Sequence, residues 1–529
     1  MERTSRSYLP PIVSALLLWV VLYIIFPWYR YYIDPDGTSY LTISQRYADG
    51  DISTAVNGLW SPWACWLTAL LIKAGMQAVP ASVVVNAAGA TGFLWASWSL
   101  FVRFGVPVAR QWVYCMAMVV FLCFAVFWQS FDDLWGCFLM LCVLRMMLAQ
   151  GFARRPALWA GIGMVGALAF FAKAYSLPYF VLCVGVGTFF LAERNRLQWL
   201  RIMLVAVPVM LACCFPWVYM LHTKYGIWTT STAGALNMSW YLVGHPEWKT
   251  GIDILVPPIH SGSVYYWEDP YYVNGHLSHY WDSWHLAGLQ VLRLGYNCLM
   301  LLRCMAEISV LLPMIGAYIL VQFLKKFRTL SGDMAAMYLF FLLLPAGYVM
   351  VHLESRYLWL MLPIGMVVAW HAEIDGVARK YLQPLFIASI VVFPLWQLRA
   401  MCNEGRAEYE FAQRLNAAGI KGADIVSDLH PRLLSKMMYF SGNRFYVISK
   451  QRPEPKEDKA ANTARLVQDI KRYRITYYLH SPKGNGKLRN PGFDEIFHDN
   501  LSDGVSPIPY EKVMTDTASG IILYKLPQQ

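Results

Sequence analysis

Four short polar clusters interrupt an otherwise apolar chain. They are Asp34 and Asp36 in Tyr31-Tyr32-Ile33-Asp34-Pro35-Asp36-Gly37-Thr38-Ser39-Tyr40, the pair Asp132-Asp133, Lys173 in Ala172-Lys173-Ala174-Tyr175, and Glu354-Ser355-Arg356-Tyr357. Each adjoins an apolar run, where a charge is expensive and marks a functional cavity by default. Two carboxylate sites beside two cations suit a reaction in which a nucleophile loses a proton while an anion departs. A carboxylate can accept the proton. Lys173 and Arg356 can hold a phosphate whose charge grows as its bond breaks. Each group also has an ordinary structural alternative. Asp36 would cap the helix that the spacing of Tyr40, Ile43 and Tyr47 predicts. Asp132 and Asp133 would favour a helix N-terminus, Lys173 would snorkel to an interface, and Arg356 would pair with Glu354 or Asp36 alone.

The elements that must position these groups follow from composition. Of 529 residues, 57% are hydrophobic and 15% charged, against about a quarter charged in soluble domains. The fold class expected is a polytopic α-helical membrane protein. Apolar runs predict about eleven spans, near 10–27, 80–102, 112–128, 134–148, 157–171, 177–191, 200–221, 306–324, 334–351, 357–370 and 381–398. The run 63–79 is short, carries Lys73, and reads as a re-entrant or interfacial helix. The net charge of +11 falls on alternate connections, among them Arg103 and Arg110, Arg154 and Arg155, and Lys325, Lys326 and Arg328. That is the positive-inside pattern of a chain with a cytoplasmic N-terminus, and it argues for a lipid bilayer and against nucleic acid as a partner. The first apolar run lacks a small-residue cleavage site, so it reads as a retained span. The eleven cysteines lie mostly in apolar segments without metal or redox spacing, so no disulfide framework is expected.

This topology collects all four polar clusters on the outer side, together with loops 29–79 and 222–303. The second loop is rich in aromatics and His, including His245 and Tyr265-Tyr266-Trp267-Glu268-Asp269. With Tyr40, Asn57, Trp60 and Tyr357 it offers aromatic platforms and polar groups of the kind a sugar or a lipid headgroup needs; an interfacial aromatic belt is the alternative. The histidines match no familiar metal-site spacing. The expected domains are a membrane domain, 1–398, and a soluble outer α/β domain, 399–529, with a mostly parallel sheet.

Several of these features resemble the GT-C class of glycosyltransferases, in particular bacterial members similar to the dolichyl-phosphate-mannose protein mannosyltransferases and the lipid A aminoarabinose transferases. The features are Asp36 with Tyr40, Asn57 to Pro62, Asp132-Asp133, Ala172-Lys173-Ala174-Tyr175-Ser176-Leu177-Pro178, and Glu354-Ser355-Arg356-Tyr357-Leu358-Trp359-Leu360-Met361-Leu362-Pro363. The resemblance implies a polyprenyl-phosphate sugar donor (a hexose or pentose) and a cell-envelope glycan, lipid or protein as acceptor. It implies Asp36 as catalytic base, with Asp34, Asp132 or Asp133 as the second carboxylate, and Lys173 and Arg356 at the donor phosphate. Tyr40, Asn57, Trp60, Glu354, Tyr357, His245, Trp267 and Glu268 would line the substrates. Some relatives use a divalent metal ion and others none. The implied location is a bacterial inner membrane, with the C-terminal domain in the periplasm. The family often has Asp-Glu where this chain has Asp36-Gly37, which leaves the second carboxylate open. A transporter or flippase of an anionic lipid-linked sugar is the competing reading, disfavoured by the scarcity of polar residues within the spans.

Overall fold

Away from water, backbone polar groups must bond within their own segment, so long apolar runs fold as helices. In the computed structural model, which describes residues 7–128, 132–243, 255–273, 277–373, 375–448, 459–481, 508, 510–517 and 519–526, the chain forms two compact units. The first comprises Met1–Tyr29, Ser61–Gly234 and Tyr280–Cys402. Among its described residues, Leu9–Tyr29, Ala78–Arg103, Val108–Phe127, Arg196–Tyr225, the stretch Gly332–Met350 and the helix that starts at Gly376 are long and apolar enough to cross a membrane. Pro156–Ala172, Ser176–Leu191 and Met361–His371 are apolar but shorter. The run 63–79 yields a helix of 12 residues, Pro62–Lys73.

One expected span differs in kind. The run 306–324 is not a single helix. Trp284–Ile308 emerges from what the sequence suggested was loop, Ser309 is extended, and Leu312–Lys325 leaves at a bend of 117°. Arg293, Asn297 and Arg303 break up the apolar run and mask the first helix. Asn297 is nonetheless buried, because its amide donates to the Val349 and Val351 carbonyls at 2.8 and 3.2 Å.

The helix Asp133–Met147 packs against both Ala78–Arg103 and Pro156–Ala172. Small residues permit that closeness. A Cβ on Gly92 would sit 2.6 Å from the Phe138 ring, far inside contact distance. Helix packing of this kind is the membrane counterpart of a close-packed core.

The second unit gathers Arg30–Trp60, Ala235–His279 and Asn403–Gln529. Its six-stranded sheet runs in the order β1-β3-β2-β4-β6-β5, with β1 Leu255–Val256, β2 Asp424–Ser427, β3 Arg444–Ile448, β4 Tyr477–His480, β5 Glu511–Thr515 and β6 Ile522–Lys525. The expectation of a mostly parallel sheet needs correction. β2 pairs in parallel with β3 and β4, but β1, β6 and β5 add antiparallel edges. Only β2 and β3 are followed by crossover helices, which parallel pairing demands; β5 and β6 are joined by a tight turn at Asp516–Gly520.

Alternate strand residues face opposite layers. On one face Ile425, Phe445 and Leu479 pack with Phe411, Leu415, Leu434 and Met438 of the helices Arg406–Ala417 and Pro431–Ser441. On the other, Val426, Tyr446 and Tyr478 pack with Leu466 and Ile470 of Lys459–Arg472. The first-loop helix Pro35–Asp49 rests on Pro431–Ser441. There Lys436 is buried, pairs with Glu404 at 3.1 Å, and lies 5.8 Å above the Tyr32 ring.

β1 joins the sheet from a distant part of the chain. Leu255 is fully buried and its N–H donates to Asp469 at 3.0 Å. Leu255→Ala should therefore cost about 2–5 kcal/mol through the cavity it leaves. The readout is a lowered melting temperature of the purified protein; a variant that melts with the wild type would remove β1 from the core.

Candidate functional site

In the first unit, three chain segments bring ionisable groups together. Asp132 and Asp133 open the helix Asp133–Met147, where the N-terminal dipole favours negative charge. Asp132 occupies the capping position but makes no side-chain capping bond. Lys173 ends the helix Pro156–Ala172 in an extended conformation. Glu354, Arg356 and Tyr357 belong to the tight turn around Ser355–Leu358.

Asp133 is the hub. Its Oδ1 lies 2.7 Å from Lys173 Nζ and its Oδ2 3.4 Å from Arg356 Nε. Arg356 Nε also meets Glu354 Oε2 at 2.8 Å, and His352 Nε2 meets Glu354 Oε1 at 3.0 Å. Tyr357 supports both cations: Lys173 Nζ sits 4.6 Å and the Arg356 guanidinium 5.4 Å from its ring centre. Gly136 lets the lysine in, since a Cβ there would press on Lys173 Cβ at 3.2 Å. His352 is the member of this cluster that the sequence did not single out; its place two residues before Glu354 was the available signal.

Burial pushes the Asp132 carboxyl well above the usual carboxylate range, against the opposing pull of Lys173, with the charge of Asp133 adding to the rise. Burial alone would raise Glu354 too. Arg356 and His352 overcome it and hold that carboxyl at about 2. The cluster thus combines one acid that keeps its proton unusually well with another that gives it up readily.

Beside the cluster lies a small pocket bordered by Asp133, Lys173, Tyr175, Tyr179, Tyr348 and Tyr357. Its wall is an aromatic ladder. Tyr357 stacks on Tyr348 at 4.6 Å, Tyr348 meets Tyr175 at 4.1 Å, and Tyr175 stacks on Tyr179 at 6.1 Å. Two of the hydroxyls are tied down: Tyr175 donates to the Leu344 carbonyl at 3.0 Å and Tyr179 to that of Phe340 at 2.5 Å. The pocket's lining combines the charged Asp133 and Lys173 with apolar and aromatic side chains.

The second unit holds the other expected residues. Asp34, not Asp36, caps the helix Pro35–Asp49: its Oδ1 accepts from the Gly37 N–H at 2.6 Å. Asp36 lies in the first turn, where its Oδ1 accepts from the Trp267 indole N–H at 3.1 Å. Around it, Tyr40 meets Trp60 edge-on at 5.1 Å, and Trp267 stacks on Trp240 at 5.1 Å. Asn57 is buried and acts as a clamp. It donates to the Glu268 carbonyl at 2.6 Å and accepts from the Leu59 and Trp60 N–H groups at 2.8 and 3.0 Å. Glu268 is buried against Arg46 and accepts from Thr42 at 2.8 Å. His260 joins that ion pair, 3.3 Å from Glu268. Arg46 escaped the sequence reading because a long-range ion pair leaves no local pattern, while His260 counts there only among the histidines without metal-site spacing. His245 lies outside the described residues.

Among the described residues, no three His, Cys, Asp or Glu side chains come together as a metal site. Asp133 instead gives its oxygens to two cations and Glu268 to an arginine.

Two outcomes test this geometry. Glu268→Ala strands the buried Arg46 and should cost about 3–5 kcal/mol, seen as an early thermal transition; wild-type melting would show that Arg46 finds water. Glu354 has a folded-state pKa below its ordinary 4.5, so its stabilisation is present above that value and disappears as pH falls through about 2. The melting-temperature gap between wild type and Glu354→Gln should be full at pH 6 and close toward pH 2. A gap that does not change with pH would show that the Glu354 charge is not what stabilises the turn.

By sequence, no family model and no curated protein matches the chain. Solved structures do. ArnT from Cupriavidus metallidurans, crystallised with undecaprenyl phosphate, aligns with a TM-score of 0.56 at 13% identity over 97% of each chain. Its apo form aligns equally well, at 12% identity. The Archaeoglobus fulgidus oligosaccharyltransferase, solved with Zn and sulfate, aligns with a TM-score of 0.51 at 12% identity over 92% of this chain and 70% of its own. These neighbours are GT-C glycosyltransferases, and the chain has the GT-C fold.

Proposed function

We propose that the protein is an integral membrane glycosyltransferase that moves a sugar from a polyprenyl-phosphate donor to a glycan, lipid or protein of the cell envelope. The observation that supports this most directly is the pairing of Lys173 and Arg356 around Asp133, beside an aromatic-lined pocket, in a chain of GT-C fold. In the reaction, an acceptor hydroxyl or amine attacks the anomeric carbon from the face opposite the phosphate. The new bond forms as the carbon–oxygen bond to phosphate breaks, and configuration inverts. The bonding electrons leave on the phosphate oxygen, where Lys173 and Arg356 offset the added charge. The acceptor's proton passes to Asp36. Trp267 orients that carboxylate through its indole N–H, and Asp132 or Asp133 assists. Tyr40, Trp60 and Trp267 offer rings to the sugar. The setting is a bacterial inner membrane, with the N-terminus cytoplasmic, about eleven spans, and both the site and the α/β unit on the periplasmic side.

Asp36→Asn should leave a folded, membrane-inserted protein whose turnover falls roughly a hundred- to ten-thousand-fold. Near-normal turnover would remove Asp36 from the mechanism. Mass spectrometry of copurifying lipid should find a polyprenyl-phosphate species on the wild type and on Asp36→Asn, and lose it on a Lys173→Ala/Arg356→Ala double variant. Retention by the double variant would remove the two cations from the donor site.

A further inference from the structure

A short helix, Ala346–Met350, precedes the turn that presents Glu354 and Arg356, and the long helix Trp284–Ile308 packs against both. A helix that stops leaves its last carbonyls without intrahelical donors, and away from water each needs one from elsewhere. The long helix supplies them. Gln290, Asn297 and Cys304 recur every seven residues, which places them on one face, and all three are buried. Val291, Leu292, Leu299 and Leu302 point away from that face and are exposed. The helix is thus amphipathic in the membrane sense, apolar outward and polar inward.

The polar stripe meets the end of the short helix carbonyl by carbonyl. Gln290 Nε2 donates to the Met350 carbonyl at 2.6 Å, and Asn297 Nδ2 to those of Val349 and Val351 at 2.8 and 3.2 Å. Arg293 Nε adds a longer bond to Val351, at 3.4 Å, and Cys304 Sγ lies 4.0 Å from the Leu353 carbonyl. Another residue of unit one, Tyr175, holds the start of the short helix. Its hydroxyl accepts from the Gly347 N–H at 2.9 Å, and its ring would meet a Cβ at 347 at 2.2 Å. Tyr348, in the same helix, stacks on Tyr357, whose ring lies under both cations. Arg356 follows Val351 by only five residues, and a tight turn takes up the last of them. A displacement at Val351 therefore reaches the guanidinium with little slack, and small misplacements of a ligand-holding group are costly.

We propose that Asn297 is a positioning residue for the anion site: by closing the end of Ala346–Met350 it sets the direction from which Arg356 meets a lipid phosphate. This rests on the reading of Arg356 as a phosphate ligand given above, and it extends the donor site to a helix that touches no donor.

The test is a double-mutant cycle on the full-length protein in detergent, titrated with undecaprenyl phosphate. Asn297→Ala should bind this lipid at least about fivefold more weakly than the wild type, the scale of one or two lost hydrogen bonds. In an Arg356→Ala background the same substitution should change affinity by less than about twofold, because the group it positions is gone. Equal losses in the two backgrounds would show that Asn297 acts on stability in general; they would overturn this proposal and leave the donor-site reading standing. Wild-type affinity in Asn297→Ala would do the same. Wild-type affinity in Arg356→Ala would overturn the donor-site reading and this proposal together. If Asn297→Ala does not fold, Gln290→Ala enters the same cycle with the same expected outcomes.

Discussion

A carboxylate held between two cations organises the polar end of the first unit. Asp133 is almost wholly buried, in surroundings where an unpaired charge would be untenable. Lys173 and Arg356 make it tolerable, and it fixes them in return. Neither cation could be packed so close to the other without the negative charge between them. The aromatic floor of Tyr357 completes the arrangement by lying under both. Backbone geometry is subordinate to this: glycines at 92 and 136 let the Asp133 helix come close enough for the contacts to form.

The second unit uses the same physics for a different end. Glu268 and Arg46 are buried together, so the ion pair is worth little as net stability and much as a register lock. It joins the helix Pro35–Asp49 to the strip that follows Tyr265. Asn57 fastens the same strip through its backbone, and Trp267 reaches Asp36 from it. The Asp36 carboxylate is thus held at the end of a braced element.

What was legible in the sequence was local. The strand Asp424–Ser427 and the helix Lys459–Arg472 follow their period and flanking signals to the residue. The turns bearing Lys173 and Glu354-Ser355-Arg356 announced themselves because charge beside apolar runs is rare. Long-range matters were not legible. A strand of two residues, β1, carries no period at all, and its partner β3 lies almost two hundred residues later. The sequence offered Asp36 as the helix cap; backbone conformation gives that place to Asp34, whose extended geometry the following proline favours. That Glu268 is buried against Arg46 could not be read from its local sequence either. The bent helix at Ile308 was hidden by polar residues that are satisfied by distant carbonyls.

The second unit is assembled from three separated stretches of chain, and this dictates an order of events. The helix bearing Asp36 leaves the ribosome early, yet the helix it rests on, Pro431–Ser441, comes about 380 residues later, roughly 20–80 s at ordinary rates of synthesis. The strip that follows Tyr265, which pairs Glu268 with Arg46, arrives part-way through that interval, and Pro431–Ser441 comes later still. The nascent chain must keep an aromatic-rich, half-formed surface soluble until its last quarter arrives, because the second unit is completed by Asn403–Gln529.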